Sequence, residues 1–259
     1  MATVRKWGVG PYPVAVIHGG PGAPGEVAPV ARELSSVKGI LEPFQTEKSL
    51  DGQVEELKKI LEDGAAPPVT LIGFSYGAWL SLLCAARYPA LVKKLVLVGS
   101  PPFEERYVAD ITKTRLSRLS LEERSEASAL LEEMEKPGTD NKNSLLARLG
   151  ALLSRADAYD PVPSDNDIIG VQYDVFRGVW QEASRLRQDR SLIRLAGSIQ
   201  CPVIAIHGDY DPHLAEGVRD PLAKVLPDFR FILLKKCGHR PWLERNASEA
   251  FFLALIHEI

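Results

Sequence analysis

The stretch Gly73-Phe74-Ser75-Tyr76-Gly77 decides the fold class because of the sequence on either side of it. Residues 69–73 form a short apolar run that predicts a buried strand, and residues 76–88 predict an apolar helix that stops at Pro89. A serine on a sharp turn from strand to helix needs small neighbours, since its backbone is strained and crowded. We therefore interpret Ser75 as a nucleophile whose hydroxyl is exposed above the sheet. The alternative is a glycine-rich turn with an incidental serine.

The alternation of strand and helix continues outward from this turn in both directions. Short apolar runs predict buried strands, and apolar residues at helical spacing predict helices between them. The predicted strands are residues 14–17, 39–44, 69–73, 95–98, 202–206 and 229–234, and the predicted helices outside the middle of the chain are residues 51–63, 76–88, 215–226 and 246–257. Strands of continuous apolar character separated by helices indicate an α/β fold, with a mostly parallel sheet flanked by helices on both faces.

The middle of the chain follows a different pattern. Between residues 103 and 197 strand signals almost vanish, and charged amphipathic stretches such as 121–136 and 144–154 dominate. We predict an inserted helical lid: residues 1–102 and 198–259 form the core, and residues 103–197 form the cap. The glutamate-rich run 132–135 is interpreted as a solvated helix face.

Composition restricts the class of partner and the compartment. The 259-residue chain carries a net charge of -3 at pH 7, which argues against nucleic acid or an anionic membrane as a partner. Its 3 cysteines fit neither a disulfide framework nor a zinc site, and this favours a reducing compartment. The first residues lack the apolar stretch of a signal peptide, and no apolar run is long enough to span a bilayer. We expect a cytoplasmic monomer or homodimer that acts on a small molecule.

A glycine-rich loop, His18-Gly19-Gly20-Pro21-Gly22, follows the first predicted strand. Glycines there allow backbone N–H groups to approach a substrate oxygen closely, and an oxyanion hole needs two such donors. We expect one donor from Tyr76, the residue after the nucleophile, and the other from Gly20, with Gly19 as second choice. The alternative is a phosphate-binding loop. The glycine spacing of this segment matches neither G-x-G-x-x-G nor a P-loop, and Pro21 has no backbone N–H to donate to a phosphate.

Two aspartates follow the strand predicted at 202–206, in the segment Gly208-Asp209-Tyr210-Asp211-Pro212. Ligand sites of open α/β sheets form at the carboxyl ends of the strands. A carboxylate there can accept a hydrogen bond from a histidine on the next such loop. We predict Asp211 as this orienting acid. Asp209 is the alternative, but it lies closer to the strand end and suits a turn or capping role.

One of the five histidines, His239, lies on a loop that follows a strand beyond the predicted acid. We predict His239 as the general base. Three others are placed in the glycine-rich loop, at a strand end and in the last helix: His18, His207 and His257. His213 lies only two residues after Asp211, a separation that we expect to prevent it from facing that acid.

The glycine-rich loop, the serine turn, the aspartate segment and the histidine loop together resemble the α/β-hydrolase superfamily, in which the serine, aspartate and histidine follow in this chain order. The resemblance covers nearly the whole chain apart from the insertion. It implies the α/β-hydrolase fold, with Ser75 as nucleophile, Asp211 as acid and His239 as general base. The segment 18–22 also resembles the corresponding loop of prolyl aminopeptidases. Those enzymes usually carry a further glycine after G-x-S-x-G, where this chain has Ala78.

The mechanism that this resemblance implies is hydrolysis through an acyl-enzyme, which needs no metal or organic cofactor. Our leading hypothesis is a serine hydrolase that cleaves a small carboxylic ester or thioester. A prolyl-type aminopeptidase is the alternative within enzymes. A non-catalytic binding protein on the same fold is a third hypothesis, because fold alone does not determine function.

Overall fold

The computed structural model of the chain describes residues 3–163 and 167–259. One seven-stranded sheet has the spatial order β1-β3-β2-β4-β5-β6-β7. Its strands are β1 (Val4–Trp7), β2 (Val14–Ile17), β3 (Ile40–Pro43), β4 (Val69–Phe74), β5 (Val92–Val98), β6 (Val203–Gly208) and β7 (Phe229–Leu234). Strand β1 runs antiparallel to β3, and the other neighbouring strands are parallel. The prediction of a mostly parallel sheet is confirmed, and β1 is an edge strand that the sequence analysis missed.

Ten α-helices are present in the described residues, and most connections between strands contain at least one of them. They are α1 (Ala28–Leu34), α2 (Leu50–Gly64), α3 (Tyr76–Arg87), α4 (Val108–Arg118), α5 (Leu121–Glu135), α6 (Lys142–Asp157), α7 (Tyr173–Gln188), α8 (Ser191–Ala196), α9 (Glu216–Val225) and α10 (Ser248–Glu258). The predicted helices agree with these bounds to within two residues at nearly every end. Within the described ranges, no helix combines the length and apolar character needed to cross a bilayer.

Two apolar cores lie on opposite faces of the sheet, because successive residues of a strand point to opposite sides. In β6, for example, Ala205 packs into one core and Ile204 into the other. Helices α2, α3 and α9 contribute to the first core, and helices α1 and α10 contribute to the second. The sheet is therefore covered by apolar cores on both faces. Side chains that bind or react with a ligand are expected at the ends of its strands.

Five helices, α4 to α8, lie between β5 and β6, and they pack in two different ways. Helices α5 and α6 share a small apolar cluster of their own, which includes Ala127 and Leu149. Helix α7 instead places Val175, Val179 and Ala183 in the main core that contains α2 and α3. One half of the inserted region is thus anchored in the core of the sheet domain. The boundary between core and lid remains a prediction.

Candidate active site

The backbone of Ser75 turns sharply between β4 and α3. Its φ of 51° lies in the left-handed region, which is strained for a residue other than glycine. The glycines on either side are required by close backbone contacts. A Cβ on Gly73 would collide with the carbonyl oxygen of Gly77, and a Cβ on Gly77 would lie 2.5 Å from the carbonyl oxygens of Ile17 and His18. The motif G-x-S-x-G thus meets the steric needs of this turn.

A row of hydrogen bonds joins Ser75, His239 and Asp211, which come from loops after three different strands. Nδ1 of His239 lies 2.7 Å from Oδ2 of Asp211, and Nε2 of His239 lies 3.2 Å from Oγ of Ser75. A carboxylate only accepts hydrogen bonds, so the proton of His239 is on Nδ1. Nε2 is then free to accept the proton of the Ser75 hydroxyl. The structure thus brings the three predicted residues into the spacing of a nucleophile, a base and an orienting acid.

The side chain of Asp211 is fully buried, and the histidines around it stabilise its negative charge. Burial by itself raises the pKa of a carboxyl group, but His239, His213 and His207 bring the pKa of Asp211 well below its ordinary value. Asp209, the alternative acid, lies apart from the histidine. Its Oδ1 accepts a 3.3 Å hydrogen bond from the backbone N–H of Cys237.

The expectation that His213 cannot face Asp211 is wrong. Both the backbone N–H and Nδ1 of His213 bond Oδ1 of Asp211, at 2.9 and 2.8 Å. The reason is a tight turn in which an aspartate side chain accepts from the backbone two residues on, and this turn brings residue 213 back over the carboxylate. The sequence Asp-Pro-His carried a signal for such a turn.

Two of the remaining histidines, His18 and His207, are buried and hydrogen-bonded to backbone carbonyls. Nδ1 of His18 donates to the carbonyl of Gly19 at 2.7 Å, and its Nε2 accepts from the backbone N–H of Gln45 at 3.4 Å. Burial lowers the pKa of His18, so its ring is neutral at pH 7. His207 donates from Nε2 to the carbonyl of His213 at 2.5 Å. His257 is exposed on α10.

The predicted oxyanion donors belong to two segments, the start of α3 and the glycine-rich loop. Helix α3 begins at Tyr76, so the N–H of Tyr76 belongs to the first turn, whose N–H groups have no partner within the helix. A Cβ on Gly19 would lie 3.0 Å from Cβ of Ser75, which places the glycine-rich loop directly against the nucleophile. Gly20 has a φ of +100°, a conformation that favours glycine. The choice between Gly20 and Gly19 as second donor remains a prediction.

Glu26 extends from the same loop toward the nucleophile. Its Oε1 accepts a 2.6 Å hydrogen bond from Arg240, the residue after the predicted base, whereas its buried Oε2 has no partner. A Cβ on Gly19 would lie 2.8 Å from this Oε2, on the same side as Ser75. The sequence analysis missed Glu26, because its contact with Arg240 joins residues 214 positions apart.

The loop that carries His239 is fastened to the end of helix α6. The carbonyl of Asp157 accepts a 2.9 Å hydrogen bond from the backbone N–H of His239. The carboxylate of Glu244 is buried and accepts from the backbone N–H groups of Gly238, Tyr159 and Asp160 at 2.8 to 3.0 Å. No local pattern distinguishes Glu244 from a surface glutamate, so the sequence analysis did not find it.

Replacing Glu244 by alanine is expected to lower the free energy of unfolding by roughly 3 kcal/mol or more. Three backbone donors would lose their acceptor, and each unsatisfied buried donor costs about 1–3 kcal/mol. Urea unfolding measures the change, with Glu249→Ala on the exposed start of α10 as the matched control. We expect the control to lose about 1 kcal/mol at most. Equal losses in the two variants would contradict the role assigned to Glu244.

The protonation of His213 predicts a loss of stability in mild acid. Burial lowers its pKa from 6.5 to about 4, although Asp211 opposes part of that effect. Between these two pH values the unfolded chain binds a proton that the folded chain does not bind, so stability falls as the pH falls from 6.5 to 4. The loss is complete below the folded pKa and amounts to roughly 3 kcal/mol.

Urea unfolding of the wild type and of His213→Asn across this pH range isolates the effect. The wild type should lose more stability than the variant, which has no titrating group at that position. His257→Asn, at an exposed position, should follow the wild type. Parallel curves for the wild type and His213→Asn would refute the prediction.

One group among the described residues has the spacing of a metal site. The ligand atoms of Asp211, His213 and His239 lie within 4.8 Å of one another. In this structure both histidines use Nδ1 for a hydrogen bond to the carboxylate of Asp211. A metal ion would have to displace both bonds, and we assign none to this site.

Fold and site together define a class of protein: a strained serine turn after a central parallel strand, with an aspartate and a histidine on neighbouring loops. The family model described as alpha/beta hydrolase fold matches residues 42–245, and the chain belongs to this family. The predicted α/β-hydrolase fold is therefore confirmed.

Comparisons with individual proteins add both a sequence relative and structural neighbours. A segment of 75 residues is 31% identical to ethanol acetyltransferase 1 of Cyberlindnera fabianii; the match covers 29% of this chain and 21% of that protein. The chain thus spans about a fifth of that relative.

Among solved structures, VinJ has a TM-score of 0.67 at 18% identity, with 98% of this chain and 93% of that chain covered. Proline iminopeptidase of Mycobacterium smegmatis has a TM-score of 0.65 at 19% identity, with the same shares covered. At these identities the structural likeness shows the fold alone. The predicted resemblance of the HGGPG loop to prolyl aminopeptidases extends no further than this distant neighbour.

Proposed function

We propose that this α/β hydrolase is a serine hydrolase that cleaves a small carboxylic ester or thioester. The supporting observation is the unbroken row of hydrogen bonds from Asp211 through His239 to Ser75 on a strained turn. The sequence relative is an ethanol acetyltransferase by name. Transfer of an acetyl group to ethanol forms an acyl–oxygen bond of the kind that an esterase cleaves. A buried aspartate, an imidazole that it orients and a serine hydroxyl are the groups that cleavage of such a bond requires.

In this mechanism, Oγ of Ser75 attacks the carbonyl carbon while Nε2 of His239 takes its proton. Asp211 holds the tautomer with the proton on Nδ1 and stabilises the imidazolium that forms. The N–H groups of Tyr76 and Gly20, or of Gly19 in its place, stabilise the oxyanion. The imidazolium returns its proton to the leaving alcohol or thiol, which leaves an acyl group on Ser75. Water then loses a proton to His239 and attacks the acyl carbon. The imidazolium returns this proton to Oγ of Ser75 as the acyl–Oγ bond breaks, which releases the acid and restores the free enzyme.

A prolyl-type aminopeptidase is the second candidate, and one observation favours it. The free Oε2 of Glu26 is buried near Ser75, and the Glu26 side chain is nine-tenths enclosed. A carboxylate oxygen in that position suits the protonated amine of an aminoacyl substrate. Arg240 already pairs with Oε1, which reduces the charge that Glu26 offers to such an amine.

Turnover of a substrate panel tests both candidates. The panel contains p-nitrophenyl esters of several chain lengths, an acyl thioester, and proline and alanine p-nitroanilides with free or blocked amines. Ester or thioester cleavage that is lost in Ser75→Ala supports the proposed function. Cleavage of the unblocked anilides alone, weakened in Glu26→Gln, would replace it with the aminopeptidase. If neither occurs and a fluorophosphonate fails to label Ser75, both candidates are wrong.

A further inference from the structure

We propose that His213 is a positioning residue, which holds one oxygen of Asp211 so that the other is aimed at His239. This inference rests on the proposed function, because it concerns the acid of the same catalytic site. His213 is outside the serine, histidine and aspartate that the mechanism requires. It is also the residue that the sequence analysis expected to be unable to reach Asp211.

The hydrogen bonds of Asp211 are divided between its two oxygens. Oδ1 accepts from the backbone N–H and from Nδ1 of His213, at 2.9 and 2.8 Å. Oδ2 accepts from Nδ1 of His239 at 2.7 Å. The Asp211 side chain has no exposed surface, so no solvent is available to replace a missing donor. Two donors on one oxygen restrict rotation of the carboxylate and so fix the direction of the bond to His239.

His213 is itself held in place from two sides. Its carbonyl accepts from Nε2 of His207 at 2.5 Å, and its ring centre lies 4.6 Å from that of His239. The residue is buried, with 6% of its surface exposed. The two imidazoles therefore lie side by side on the same carboxylate, each with a fixed Nδ1–H donor.

The ring of His213 has to be neutral for this arrangement to serve the reaction. The titratable groups around it are Asp211, His239 and Arg115, with His207 behind its carbonyl. A cation at His213 would oppose the imidazolium that forms on His239, since the ring centres are 4.6 Å apart. A neutral ring supplies a donor to Asp211 without this repulsion. Burial, which lowers the pKa of His213 to about 4, keeps the ring neutral at pH 7.

A matched pair of amides separates positioning from packing. His213→Asn places a side-chain N–H near the position of Nδ1, whereas His213→Gln places it near that of Nε2. The readout is kcat/KM as a function of pH on an ester that the panel has identified. We expect His213→Asn to keep the wild-type pH profile and kcat/KM to within about fivefold.

His213→Gln should lower kcat/KM by roughly 10- to 100-fold, the equivalent of one hydrogen bond to a charged group. Its acidic limb should also move to higher pH, because Oδ1 of Asp211 would keep the backbone donor but lose the side-chain donor, which leaves more negative charge to stabilise the imidazolium. If His213→Gln does not fold, His213→Ala takes its place in the comparison.

Equal losses in His213→Asn and in the variant without the donor would show a packing role and overturn the inference. Unchanged pH profiles in both variants would do the same. Ser75→Ala is measured alongside them. If Ser75→Ala retains the activity, the proposed function itself fails. If Ser75→Ala is inactive but the two His213 variants do not differ, only the role of His213 is refuted.

Discussion

Ser75→Ala is expected to lower kcat for ester hydrolysis by roughly 10⁴- to 10⁶-fold without unfolding the protein. The change removes the oxygen that would carry the acyl group and the partner of Nε2 of His239. The predicted oxyanion donors stay in place, and they would account for the residual rate that is expected over the reaction in water. Alanine and serine have similar size and the same Cβ, so the strained turn at φ 51° keeps its shape.

Steady-state kinetics of purified variants with burst-phase measurement of acyl-enzyme check this result. The matched control is Ser81→Ala, on the same helix but buried in the core and away from His239. The control should retain activity to within a few-fold. A kcat for Ser75→Ala within tenfold of the wild type would mean that another group is the nucleophile.

Asp211→Asn is expected to lower kcat/KM by roughly 10⁴-fold, because it forces the wrong tautomer on His239. The backbone N–H of His213 is a donor that cannot change, and it holds the oxygen of the introduced amide on the Oδ1 side. The amide nitrogen then faces Nδ1 of His239, which has to become an acceptor. Its proton moves to Nε2, and Nε2 can no longer accept the proton of Ser75.

Asp209→Asn is the control for this prediction, since it makes the same change two residues earlier in the same loop. Its carboxylate bonds the backbone of Cys237 and not His239. We expect its kcat/KM to stay within a few-fold of the wild type. The assignment of the acid would be wrong if Asp209→Asn lowered kcat/KM as much as Asp211→Asn.

The inserted region contributes to the site through the backbone of the loop that carries His239. The carbonyl of Asp157, at the end of α6, holds the backbone of His239, and the side chain of Asp157 is paired with Arg115 of α4 at 2.6 and 2.8 Å. A movement of α4 or α6 would therefore shift the backbone of His239 and with it the imidazole ring. Glu244 joins the same segment to the histidine loop.

The sheet, its flanking helices and the serine turn were predicted from the sequence. Burial of a parallel strand requires a continuous apolar run, and a tight turn requires small residues beside Ser75. Both requirements concern residues that are close in the chain, so a local sequence pattern shows them. The edge strand β1 was missed because it has only four residues, two of them the charged Arg5 and Lys6.

The partners of the buried polar groups were decided by the tertiary structure. Glu244 bonds Tyr159 across 85 positions, and Glu26 bonds Arg240 across 214. A buried carboxylate takes whichever donors the folded chain places beside it, and no local pattern records that choice. The role of His213 depends on both the local sequence and the tertiary structure. The Asp-Pro-His turn is local, but only the enclosure of Asp211 makes both of its oxygens depend on histidine donors. The sequence thus determined the elements and the chemistry at the strand ends, whereas packing in three dimensions decided how the acid, the base and the nucleophile are held.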